Sequence, residues 1–114
     1  MSDRCPLVRG ELKQWPSKDR MGELLRESGL QVTVRRYSVR IDDCSHFIFQ
    51  EYGGDLGEPR IDADAETTAE MLRDAERVSS ALARAGLVHK FEVYDGHNAQ
   101  VGYFHHDWPQ TNAA

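Results

Sequence analysis

The side chains best equipped for chemistry cluster near the end of the chain, in GYFHHDWP, Gly102 to Pro109. Two imidazoles and a carboxylate form a ligand set for zinc or non-haem iron. His105 and His106 cannot share one ion, however, because neighbours on a regular strand point to opposite faces. A hairpin register supplies a different second imidazole. If Gly96-His97-Asn98 forms the loop and Asp95 pairs with Ala99, then Val93 opposes Val101 and Phe91 opposes Tyr103, apolar on apolar. That register sets His89 opposite His105, with Asp107 two residues further along the same face. His89, His105 and Asp107 are therefore the candidate metal ligands. The competing role for these histidines is structural: an imidazole at a sheet margin hydrogen-bonds well to a helix-end carbonyl, and a predicted helix ends at Gly86.

Other polar groups carry weaker signals. His97 sits in DGHN, a turn sequence, and is expected in solvent. Asp43, Cys44 and His46 suggest an activated thiol, but no third group orients the pair. DADAETT, counted from Asp62, fails the calcium-loop template, because Thr67 stands where glycine is needed and Arg73 where glutamate is needed. Arg35, Arg36 and Arg40, with Tyr37, have the side chains that contact phosphate and stack on a base. Only one strand carries them, and the acidic second half of the chain would repel a polyanion, so nucleic acid is not the expected partner. A phosphate loop, GxSxG and HExxH are all missing from the sequence.

These residues must be positioned by two helices and two hairpins. SKDRMGELLRESG opens with a capping Ser17, repeats Met21, Leu24, Leu25 and Ser28 at helical spacing, and stops at Gly29-Leu30. DAETTAEMLRDAERVSSALARAG has Thr67 and Glu70 as a capping box, with Asp64 as a rival cap, and stops at Gly86-Leu87. Each helix is followed by a strand pattern, LQVTVRRYSVRI and LVHKFEVYD, and each of these by a second, HFIFQEY and AQVGYFHHDW. In the first hairpin Ile41 should oppose Phe47 and Val39 should oppose Phe49. A bulge at Arg35-Arg36 would bring Val32 and Val34 onto the same face. The expected fold is α+β: a two-layer αββαββ domain, readable as an αββ repeat, with a four-stranded antiparallel sheet and both helices on one face. Residues 1–14 are expected as an N-terminal extended segment, 15–109 as the single domain and 110–114 as a tail. GGDLGEPRIDAD, Gly53 to Asp64, reads as a long connection.

Composition narrows the function. A chain of 114 residues buries a core without metal or disulfide staples. The two cysteines share no metal or redox spacing and read as free thiols in a reducing, cytoplasmic setting. No membrane-length apolar run and no apolar leader are seen. Charge is segregated: Arg4 to Arg40 holds nine basic and four acidic residues, and Asp42 to Glu76 holds two basic and eleven acidic. A molecule polarised in this way pairs with a copy of itself or with a basic partner.

The leading expectation is a small non-catalytic interaction protein that needs no cofactor. It would form a homodimer through a patch of Ile48, Tyr52 and Phe104, since HFIFQEY is apolar on both faces. Asp55, Glu58, Asp62, Asp64 and Glu66 would face a basic protein partner, and an inhibitor or immunity-type role fits that charge. The alternative is a small metal-dependent enzyme using His89, His105 and Asp107 with zinc or iron.

Overall fold

A computed structural model describes residues 5–50 and 59–108. The protein is α+β, with two helices and two antiparallel sheets. Among the described residues, seven strands and two helices follow in the order β1 (Leu7–Leu12), α1 (Lys18–Glu27), β2 (Val32–Val34), β3 (Val39–Ile41), β4 (Phe47–Gln50), β5 (Arg60–Ala63), α2 (Thr68–Arg84), β6 (His89–Tyr94) and β7 (Gln100–His106).

Both helices begin and end where their capping residues place them. Ser17 Oγ accepts the Arg20 N–H at 3.2 Å, and Thr67 Oγ1 accepts the Glu70 N–H at 3.1 Å. Thr67 thus wins over Asp64 as the cap of α2. Gly29 and Gly86 take positive φ values of 95° and 77°. In that conformation the Leu30 N–H reaches Leu25 O at 3.0 Å and the Leu87 N–H reaches Leu82 O at 2.9 Å, satisfying carbonyls that a helix end leaves open.

A four-stranded antiparallel sheet is present, but β2, β3, β4 and β5 form it in that order. The second hairpin, β6 and β7, belongs instead to a three-stranded sheet with β1. The expected αββ repeat is not the observed order, since four strands follow α1 and two follow α2. Two segments read as non-strand supply the difference. Part of the expected N-terminal arm is β1, which pairs residue for residue with β6 and buries Val8 and Leu12. The second part of the expected Gly53–Asp64 connection is β5, paired with β4. The expected bulge at Arg35-Arg36 is a full reversal: the Arg35 N–H donates to Ser38 O at 2.8 Å, and Val34 pairs with Val39 across the turn.

One core joins these parts. Val39, Ile41, Phe47 and Phe49 come from one sheet and Val8, Leu12, Phe91 and Val93 from the other. Phe47 and Phe91 bring their ring centroids to 5.5 Å across the junction. A bridge between Leu7 and Asp64 links β1 to the end of β5. Helix α1 packs on β2 and β3 with Met21 and Leu25, while α2 packs on β6, β7 and β1 with Met71, Ala75, Val78 and Leu82. No helix among the described residues is long and apolar enough to cross a membrane.

Candidate functional site

The histidine site expected at the second hairpin is not assembled. The loop forms as expected, with the Asp95 N–H bonded to Ala99 O at 2.9 Å. Beyond it the register slips by one: Tyr94 pairs with Gln100 but Val93 pairs with Gly102, leaving Val101 as an extra residue. The physical reason is α2. A Cβ on Gly102 would stand 2.6 Å from Leu72 Cδ2, so the glycine must lie under the helix, and the exposed Val101 and Tyr103 face outward. His89 consequently pairs with His106, not His105. Their rings stack at 6.4 Å, and His105 sits beside Tyr103 on the opposite face. Asp107 follows the strand at φ 52° with its carboxylate exposed, near His106.

His89 has the structural role. It is fully buried, with Nδ1 at 2.9 Å from Leu87 O and Nε2 at 2.7 Å from Ser79 Oγ. A carbonyl only accepts, so Nδ1 carries the proton and the Ser79 hydroxyl donates to Nε2. Burial holds the imidazole below its ordinary pKa, and the nearby His106 and His105 push in the same direction. Both ring nitrogens are occupied, which leaves none for a metal. Within the GYFHHDWP motif, Gly102 to His106 belong to the last strand of a sheet, and Lys13 and Lys90 lie over the Trp108 ring at 5.8 and 5.3 Å.

The Asp43-Cys44-His46 group is not a nucleophile site. Cys44 is buried, and its pKa is pushed up to about 12 by that burial and then by the Asp74 carboxylate. Asp74, itself buried, accepts the Ser45 N–H at 3.0 Å and ties the β3–β4 turn to α2.

The expected apolar patch also divides. Phe104 faces inward against the core, and Ile48 faces outward from the other sheet, so the two do not share a surface. Tyr52, Asp55 and Glu58 lie outside the described residues. Asp62, Asp64 and Glu66 are placed: the first two on β5 and at its end, the third in the turn before α2.

What the structure does assemble is the outer face of the four-stranded sheet. Registers align Thr33, Arg40, Ile48 and Asp62 in one row across four strands. Their chain neighbours Val32, Val39, Ile41, Phe47, Phe49 and Ala63 point into the core, so this row points away from it. On one side of the row lies a concavity of about 560 Å³ lined by Arg35, Arg36, Tyr37, Arg40, Ile48 and others. The Arg36 guanidinium lies 5.2 Å from the centre of the Tyr37 ring. Among the described residues no carboxylate pairs with Arg35, Arg36 or Arg40. On the other side lie Asp42, which accepts from Thr33 Oγ1 at 2.8 Å, and His46 and Asp64, which form a group with Asp62 of the row.

That last group escaped the sequence reading. In sequence Asp62 and Asp64 read as a connection and a helix start, where they share no face with His46. On a strand, residues two apart share a face, so the alternation RIDAD was the available signal.

No protein-family model, curated protein or solved structure matches this chain. The function therefore rests on the geometry of its own surface.

Proposed function

We propose that this is a non-catalytic interaction protein that self-associates through the outer face of its four-stranded sheet. The observation that carries the reading is the order of charge on that face. Arg40 and Asp62 flank Ile48 on neighbouring strands, basic on the β3 side and acidic on the β5 side. A two-fold axis in the interface, parallel to β4 at Ile48, lays β3 of each copy on β5 of the other. Arg40 then meets Asp62 twice, and Ile48 packs on itself. An isologous contact requires this kind of self-complementarity. The Asp62 carboxylate that a basic protein partner would seek is thus met by Arg40 of a second copy. Two unpaired cysteines, Cys5 exposed and Cys44 buried, fit a cytoplasmic setting.

Sedimentation equilibrium in EDTA tests the reading. The expected result is a dimer at micromolar concentration that weakens with salt. Arg40→Glu and Asp62→Arg should each give monomers, and the double variant, which exchanges the charges, should dimerise again. A strict monomer up to about 1 mM would overturn the reading. So would a dimer that survives Ile48→Asp and is lost on Val101→Lys, which would place the contact on the exposed edge of β7.

A further inference from the structure

The group at the acidic end of the same face has the composition of a metal site. His46 directly precedes β4, and the Asp64 N–H donates to His46 O at 3.1 Å, so the two residues oppose each other across the ladder. Asp62 lies two residues before Asp64 and shares its face. One ligand atom from each of the three residues can be chosen so that all lie within 4.8 Å of one another.

Two observations separate this group from an ordinary surface ion pair. The first is His46 Nδ1, which is shielded from solvent and has no hydrogen-bond partner. It lies 3.3 Å from Asp64 Oδ1, close enough for charge contact yet without hydrogen-bond geometry. Two ligands on one ion, each about 2.0–2.2 Å from it, stand about 3.0–3.6 Å apart without pointing at each other. The His46–Asp64 separation falls in that range. The second is Gln50, whose Nε2 donates to Asp62 Oδ2 at 3.0 Å. The amide orients the carboxylate and leaves Oδ1 free, the outer-shell support typical of metal-bound carboxylates.

We propose that His46, Asp62 and Asp64 bind a divalent transition-metal ion of the zinc class. One imidazole nitrogen and two carboxylate oxygens suit zinc or manganese better than magnesium, which prefers oxygen donors and retains its waters. Three protein ligands leave at least one position open. A cavity of about 420 Å³ beside His46 and Asp64, bordered by Ser45, Glu66 and Glu70, gives that position access to solvent. The site does not depend on self-association, and it is distinct from the histidines of the second hairpin.

The test uses the untagged, EDTA-stripped full chain near neutral pH. Zinc is titrated by calorimetry, with manganese and magnesium as comparison ions. One zinc per chain is expected, and the His46 imidazole nitrogen resonance should shift on binding. Asp62→Asn, an exposed change that leaves the core intact, and His46→Ala should each weaken uptake by more than tenfold, and Gln50→Ala by about tenfold. His105→Ala and His106→Ala should leave uptake unchanged. Failure to bind at about 100 μM zinc would overturn the proposal. So would uptake that survives Asp62→Asn with no shift at His46, or uptake lost on His105→Ala.

Discussion

Acid should destabilise this protein through His89, starting well above the range in which carboxylates titrate. The imidazole is fully buried, holds the Leu87 carbonyl through Nδ1 and takes the Ser79 hydroxyl on Nε2. Protonating Nε2 would turn it against its donor and place a charge in the core, beside the stacked ring of His106. Its folded pKa is lowered from the ordinary 6.5. The unfolded chain therefore takes up the proton first, so the stability is complete above the ordinary value and is lost as pH falls below it. If the folded imidazole stays neutral throughout, one pH unit below that value costs about 1.4 kcal/mol. That figure is a ceiling, because solvent near the sheet margin relieves part of the charge. Asp95 does not confuse the measurement. Its carboxylate accepts the Ala99 and His97 N–H groups and titrates below 3.8, so its loss belongs to a more acidic window. Urea unfolding at a series of pH values, on wild type and His89→Gln, reads the effect. Wild type should lose stability between about pH 7 and 5, and the variant should lose much less. Equal slopes in the two proteins would refute the assignment of His89 as a neutral buried imidazole.

Two further outcomes follow from the same packing. Gly86→Val places a branched side chain at φ 77°, where nothing lies within 4 Å of the new Cβ, so the cost is in the backbone; a loss of about 1–2 kcal/mol in denaturant melts is expected. With iodoacetamide near neutral pH, Cys5 should label in the native protein and Cys44 only on unfolding, because Cys44 is buried and its pKa is pushed up to about 12.

The helices were legible because their ends are written locally. Ser17, Thr67, Gly29 and Gly86 each satisfy or terminate a helix through their own backbone and nearest neighbours. The first hairpin register was legible for a similar reason, with Val39 opposite Phe49 as the apolar pattern requires. The strands β1 and β5 were not, because each is defined by a distant partner. Gly10 interrupts LVRGEL in sequence, yet in the fold a Cβ there would stand 2.7 Å from Ile61 Cδ1 and 2.8 Å from Phe91 Cδ1. The gap in the pattern is the place where β1 comes close to its neighbours. The second hairpin misled for a related reason. Matching valine to valine ignored α2, which lies over β7 and needs Gly102 beneath Leu72. The candidate metal ligands moved with that register, and the His46 group stayed hidden until β5 was a strand.

The charge segregation of the sequence has a direct spatial consequence. In a meander, successive strands lie side by side, so order along the chain becomes order across the sheet. The strands β2 and β3 come from the basic segment, β5 from the acidic one, and β4 lies between them with Ile48 at its centre. Charges that were merely separate in sequence are thereby set on opposite sides of one flat face. Asp62 and Asp64 then lie together on that face beside His46, where close carboxylates repel unless a cation stands among them. The two proposals are alternative answers to that demand, since either the guanidinium groups of a second copy or a divalent ion can meet it. Because both act on Asp62, whatever one ligand does to the affinity of the other must be returned in equal measure. If both proposals hold, the face would couple assembly to metal through a shared carboxylate, without any change of fold.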